Sequence, residues 1–286
     1  MAVQSVGNEN YTLGRGEVHF ARFVGATQEP AGERYIGNTP ELSLTIEQEV
    51  LDHFNSDHGI REKDESIALQ VNRTGSFTTD NIKPPNVALF FFGTESTVTE
   101  VGETVVDETI LAVEQGLTYQ LGISTTRPAG AKGIVGDTDD SNSAGAFTVQ
   151  AYNDSNSILP GSDSNSGNAS YVAVTDYVLD PELGRLYIVP GGGIADGASL
   201  VVNYTIKAST FSRVISGSQP VEGAMRFIAF NPTGDDIDYY FPWVKVSPNG
   251  DYALKSDQWQ TIPFNLEILK RSDREAIYAD GRPAFS

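Results

Sequence analysis

His53, Asp57 and His58 fall within six residues, and imidazole and carboxylate together can hold a divalent metal. Their spacing matches no familiar ligand pattern, which favours solvated loop residues. Asp137, Asp139, Asp140 and Asn142 carry oxygen donors suited to calcium. A calcium loop counted from Asp137 needs Gly at its sixth position and Glu at its twelfth, and neither is there. Gly191-Gly192-Gly193-Ile194-Ala195-Asp196-Gly197 has the glycines of a nucleotide loop. Such a loop must lead into a helix, whereas Ala198–Ile206 reads as a strand, so a glycine hairpin is expected. No Gly-x-Ser-x-Gly elbow exists for a serine hydrolase, and His19 sits in a strand pattern. Carboxylate pairs are too common in this chain to single out a glycosidase site. The sequons at Asn10, Asn72, Asn153, Asn168 and Asn203 matter only on a glycosylating secretory route. No catalytic residue, cofactor or metal ligand is therefore assigned.

Composition points the same way. The 286 residues include no cysteine, which removes disulfides, thiolate metal sites and cysteine nucleophiles. The net charge is −19, from 38 acids and 19 bases. A surface that wraps nucleic acid needs the opposite sign. The charge is uneven: residues 1–94 hold 13 acids and 7 bases, residues 95–200 hold 15 and 3, and residues 201–286 hold 10 and 9. The longest apolar run is Val87–Phe92. A membrane helix takes about 20 such residues, so no membrane association is expected. The opening residues carry no basic patch followed by an apolar stretch, and are read as no secretory signal.

The elements that would position any functional surface are strands. Leu42, Leu44 and Ile46 alternate with Glu41, Ser43, Thr45 and Glu47, extending to Glu49. A period of two predicts a half-buried strand with one wet face. Ile67, Leu69 and Val71 repeat the pattern, as do Ile262, Phe264, Leu266 and Ile268. Further strands are expected at 17–24, 223–230, 238–246 and 250–254, with Pro248-Asn249-Gly250 as a hairpin turn. One helix is expected at 84–92, capped by Asp80 or Asn81, entered through Pro84 and Pro85 and left at Gly93. Between 95 and 206 another set of short strands alternates with the polar stretches 137–143 and 153–168, which read as exposed loops. The fold class is mainly β: a β-sandwich or half-barrel with one short helix, formed by residues 1–94 and 207–286. An acidic, β-sandwich-like module occupies 95–206.

Several segments resemble the major tail tube proteins of long-tailed, siphovirus-type bacteriophages. Gly14-Arg15-Gly16-Glu17-Val18-His19-Phe20-Ala21 looks like their opening strand. Arg34-Tyr35-Ile36-Gly37-Asn38-Thr39-Pro40-Glu41-Leu42-Ser43-Leu44 is the most specific match, continuing through Glu49–Phe54 into a polar loop that ends near Ser66. Ile67–Arg73 resembles the return strand and Phe264–Leu269 the closing strand. In the middle module, Asp176–Asp180 and Gly184-Arg185-Leu186 resemble β modules inserted in some of these proteins.

The resemblance implies a structural virion protein rather than an enzyme. Six copies would close a ring, and rings would stack into a tube through which genomic DNA leaves without specific binding. The other implied partners are the tape measure protein and the tail terminator or tip proteins. The implied location is the virion tail, with assembly in the host cytoplasm. Glu41, Ser43, Thr45, Glu47 and Glu49 are the channel-facing candidates; alternation alone fits a plain solvent face equally well. In the resembling proteins the loop at 54–66 reaches the next ring, which makes Arg61, Lys63, Asp64 and Glu65 candidates for inter-ring ion pairs. The arms at 1–13 and 271–286 carry few strand signals and would order on stacking. A glycan-binding virion module is the alternative, resting on Tyr152, Tyr171 and Tyr177. A β-sandwich hydrolase comes third.

Overall fold

The computed structural model describes residues 11–25, 27–57, 59–135, 147–152 and 170–283. The chain is mainly β, of the β-sandwich class, with one short helix and several antiparallel sheets. It divides into two compact units, Met1–Ser96 with Ser212–Ser286, and Thr97–Phe211.

In chain order the strands of the first unit begin with β1 (Gly16–Arg22), β2 (Arg34–Tyr35), β3 (Glu41–Asn55) and β4 (Glu62–Thr79), followed by helix α1 (Pro84–Phe90). The second unit is built from β6 (Glu103–Val113), β7 (Thr118–Gln120), β8 (Thr148–Ala151), β9 (Tyr177–Asp180), β10 (Arg185–Ile188) and β11 (Ala198–Ile206). β5 (Thr94–Glu100) and β12 (Ser209–Ile215) carry the two crossings between units and pair with each other. The first unit then closes with β13 (Val221–Ala229), β14 (Ile237–Pro248), β15 (Ile262–Ile268) and β16 (Tyr278–Gly281).

The first unit is one antiparallel sheet in the order β2-β1-β13-β14-β15-β4-β3, with β16 pairing the first half of β14. Its core forms on one face. Val18, Phe20, Met225, Phe241, Val244, Val246, Phe264, Leu266 and Phe77 pack there against Leu89 of the helix. The alternation in β15 is realised as expected: Ile262, Phe264, Leu266 and Ile268 are buried, and the residues between them are not.

The helix sits where the Pro pair put it, but its ends differ from expectation. Lys83 is the N-cap and makes no side-chain cap bond. Neither Asp80 nor Asn81 caps, because both are engaged elsewhere. Asp80 accepts from Asn38 at 2.6 Å, and Asn81 donates to the Ile36 carbonyl at 3.1 Å. Asn86, fully buried inside the helix, donates to the Ile36 and Asn81 carbonyls at 2.7 and 2.8 Å and accepts from Arg34 at 2.8 Å. That satisfied amide locks the helix to the chain after β2.

At the C-terminus, Phe92 rather than glycine takes the left-handed conformation, at φ 53°. Its N–H bonds Leu89 and the Gly93 N–H bonds Ala88, the paired bonds of a Schellman cap. Glycine is needed one position later. A Cβ on Gly93 would lie 2.0 Å from the Ile215 carbonyl oxygen. Close backbone approach therefore fixes the glycine, and Phe92 carries the conformational strain.

The second unit packs sheet β6-β11-β8 and sheet β7-β10-β9 around a core that includes Leu121, Leu186, Ile188, Leu200, Val202, Tyr204 and Ile206. β9 and β10 form the expected hairpin, with Leu183 N–H on the Asp180 carboxylate and Gly184 at φ 66°. The Gly191–Gly197 segment is no hairpin. It leads from β10 in one sheet to β11 in the other. The Gly193 N–H donates to the Asp176 carboxylate at 2.6 Å, and a Cβ on Gly192 would meet the Asp176 backbone at 2.9 Å. The glycines admit a buried carboxylate, not a phosphate. Burial and the neighbouring Glu108 carboxylate, which accepts from Tyr204 Oη at 2.5 Å, push the Tyr204 hydroxyl well above the usual tyrosine range.

Two other expectations fail for stated reasons. Residues 250–254 form no strand; Pro248-Asn249-Gly250 opens a long connection that reaches β15 only at Ile262. The C-terminal arm is partly ordered as β16, held by Arg282 on Asp236 and Asp238 at 3.1 Å each and by Tyr278 stacking near Tyr240. Residues 1–10 and 284–286, with the polar stretches 137–143 and 153–168, lie outside the described residues.

Candidate assembly surfaces

β3 and β4 pair along almost their whole length, from Glu41 opposite Thr78 to Asn55 opposite Glu62. Cross-strand partners share a face, so the register sorts every side chain. One face carries Glu41 with Thr78, Ser43 with Ser76, Thr45 with Thr74, Glu47 with Asn72 and Glu49 with Gln70. The two serine hydroxyls bond at 2.9 Å.

Further strands extend the polar rows. Ser43 and Ser76 continue into Asn265 and Ser247. Thr45 and Thr74 continue into Glu267, Lys245 and Glu222. Lys245 pairs with Glu222 at 3.5 Å, leaving Glu41, Glu47, Glu49 and Glu267 to set the sign of this wall. All five channel-facing candidates thus lie on one polar face spanning several strands.

The opposite face begins as core and ends in the open. Leu42 packs against Phe77 and its neighbours, but Leu44 is 39% exposed and Ile46 63%. β15 pairs β4 only as far as Thr74, so beyond it the hairpin has no third strand beside it among the described residues. The expectation of a half-buried strand therefore holds only at its start. Val50, Leu69 and Val71 continue the exposed apolar row. Register irregularities follow Glu49 and His53. Past the first, Leu51 and Ile67 place exposed apolar side chains on the wall's own face. β3 is also the last strand of the sheet, with no pairing along its outer edge among the described residues. Such an edge is a template for another strand.

The expected polar loop at 54–66 is mostly strand. Only residues 56–61 connect β3 to β4. Of the four inter-ring candidates, Arg61 alone lies in that connection, its guanidinium 5.6 Å from the Phe54 ring centroid. Lys63, Asp64 and Glu65 lie in β4. Lys63 reaches Asp52 of the same hairpin at 2.6 Å, and Asp64 meets His53 at 2.5 Å. These partners hold both aspartates below the usual carboxylate range, Asp52 chiefly through Lys63 and Asp64 chiefly through His53. Lys63 and Asp64 thus find their partners across the strands of their own hairpin.

His53 is thus a strand residue bonded to Asp64, while His58 lies outside the described residues, as do Asp137, Asp139, Asp140 and Asn142. No cluster of three metal-ligating side chains occurs among the described residues. The glycan reading loses two of its three aromatics: Tyr177 is buried 5.7 Å from the Phe147 ring, and Tyr171 packs on the same core. Of the sequons, Asn10, Asn153 and Asn168 lie outside the described residues, and Asn203 accepts from the Asp107 N–H at 2.6 Å.

Sequence reasoning missed one surface. The connection 249–261 presents Trp259 at 96% exposure and Leu254 at 75%. A tryptophan flanked by Gln258 and Gln260, with no alternation around it, was the available signal.

The first unit thus presents a two-strand hairpin with a polar face, an apolar face and an outer edge unpaired among the described residues. Residues 11–126, from β1 into the second unit, match a family model described as Protein of unknown function UCP028589. No curated protein matches the chain.

Proposed function

We propose that this chain is the repeating subunit of a tube of the phage tail type, in which copies close into rings and rings stack around a channel for genomic DNA. The observation that carries the reading is the two-faced hairpin. Its apolar face outruns its own core and its edge strand is unpaired among the described residues, so both call for a neighbour. Its other face is a polar wall of like sign. Neighbouring copies cover the apolar row and the β3 edge, and the Glu41–Glu49 face lines the channel. Fixed carboxylates repel phosphates over about 8–10 Å at moderate salt, and from Glu41 to Glu49 the wall gives the bases no aromatic ring to stack on. DNA therefore passes without a binding site. The tape measure protein would occupy the same channel before ejection, and terminator or tip proteins would cover the exposed faces of the end rings.

Negative-stain electron microscopy of the purified chain, together with immunogold labelling of virions, tests the reading. Rings or tubes with a central channel, or label along tails, are expected. A chain that stays monomeric at every concentration and labels no tail would overturn it.

A further inference from the structure

The sequence holds one Asn-Gly pair, Asn249-Gly250, and the fold leaves it open. β14 ends at Pro248, and the Asn249 N–H makes a last bond to the Pro263 carbonyl at 3.0 Å. Beyond it the chain has no helix or strand until Ile262. Asn249 and Gly250 are both exposed. Gly250 stands at φ 79°, and a Cβ there would meet nothing within 4 Å. Neither the Asn249 carboxamide nor the Gly250 N–H has a hydrogen-bond partner among the described residues. Every other described asparagine holds its carboxamide in a hydrogen bond, and none is followed by glycine. On the same wall, Asn72 accepts from Gln70 at 2.6 Å and Asn265 donates to the Pro248 carbonyl at 3.3 Å.

We propose that Asn249 is a site of spontaneous deamidation, which adds a carboxylate to the polar wall after the chain has folded. The Gly250 backbone nitrogen attacks Cγ of Asn249. A new N–C bond closes a five-membered succinimide and the Cγ–Nδ2 bond breaks. The proton lost by the Gly250 nitrogen leaves with Nδ2 as ammonia. Water then adds to one of the two succinimide carbonyls and opens the ring to aspartate or isoaspartate. The step needs the attacking nitrogen and Cγ to meet, and glycine, with no Cβ, gives the backbone the widest freedom to reach that geometry. No competing hydrogen bond has to break first. The place of the product follows from the sheet. Asn249 lies two residues past Ser247, and with Ser43, Glu47, Asn265 and Glu267 it lines a hollow on the polar wall. The new carboxylate joins Glu47 and Glu267 there, so the wall gains one negative charge per copy without an enzyme. The conversion is a property of the folded chain and holds whether or not copies assemble.

The test is to hold the folded full chain in mildly alkaline, oxygen-18-labelled water and to follow each asparagine by peptide mass spectrometry. The heavy oxygen marks acid formed during the incubation and separates it from acid formed during digestion. Labelled aspartate and isoaspartate should build up at position 249 on the order of tenfold faster than at any other described asparagine. The rate should fall in mild acid, where the attacking nitrogen keeps its proton. The intact chain should move to later elution from an anion exchanger. Asn249→Gln, which must close a six-membered ring, should fold normally at this exposed position and lose most of that shift. An amide that stays intact at 249 while other described asparagines convert would overturn the assignment, and so would an Asn249→Gln chain that shifts as fast as the parent. Neither result touches the tube reading, which microscopy decides separately.

Discussion

β11 and β3 show the same period of two and meet opposite fates. In β11, Leu200, Val202, Tyr204 and Ile206 are all fully buried, because the strand lies between β6 and β8 and a second sheet covers it. In β3, Leu42 is half-buried, Leu44 exposed and Ile46 more so, because the strand ends its sheet and outruns it. Both ladders carry register irregularities, at Val202/Tyr204 in one and Glu49/Val50 in the other. Alternation therefore records which side of a strand is meant to be dry. It does not record whether the dry side is covered by the same chain. In the first unit no cover is present among the described residues, and that gap is what supports the proposed assembly.

The comparison can be broken most sharply at its buried end. Leu200→Ala should cost about 2–5 kcal/mol in urea-induced unfolding, the range for a buried leucine replaced by a cavity. A loss below about 1 kcal/mol would mean that β11 is no better covered than β3. Next comes the polar lock of the first unit. Asn86→Ala strands the Asn81 carbonyl, removes one of the two amides on the Ile36 carbonyl and takes the Asn86 acceptor from Arg34, and should cost about 1–3 kcal/mol in the same measurement.

The exposed end sharpens the contrast. Ile46→Ser should leave monomer stability within about 0.5 kcal/mol, because surface positions tolerate change, yet abolish rings and tubes by electron microscopy. Normal assembly of that variant would remove the argument from the uncovered face.

The smallest effect is a pH dependence at the C-terminal strand. Arg282 holds the Asp238 carboxyl below the usual carboxylate range. A depressed carboxyl contributes stability above its unfolded value, about 3.9, and loses it as the pH falls through the folded value. Amide exchange in Tyr278–Gly281 should thus quicken in that acid window relative to β15. Asp238→Asn should flatten the dependence.

Much of the first unit was legible because its signals are local. β15 follows its alternation residue by residue, and the Pro pair places α1 correctly. The failures share one cause, which is a partner distant in sequence. Asp80 and Asn81 read as caps but are taken by Asn38 and Ile36. Gly93 reads as a helix terminator but is there for the backbone near Ile215. Gly191–Gly197 reads as a turn but accommodates Asp176. The charges of 54–66 read as a loop because nothing in the sequence shows that the Lys63 side chain reaches Asp52 on the neighbouring strand. Of the candidate site, the polar wall was visible as a pattern on one strand; its extension through Asn265, Glu267 and Lys245 needed the register. Trp259 carried a composition signal without a periodic one, and was passed over.

The pairing of β5 with β12 has an evolutionary reading. The second unit leaves and re-enters through adjacent strands, so its host needs only a gap of about 4.8 Å to be bridged. Closing a longer loop across that gap costs only logarithmically more chain entropy. A short turn, or a different cassette altogether, would satisfy the same two strand ends. Every ladder of the host sheet would stay in place with a short turn between those two ends.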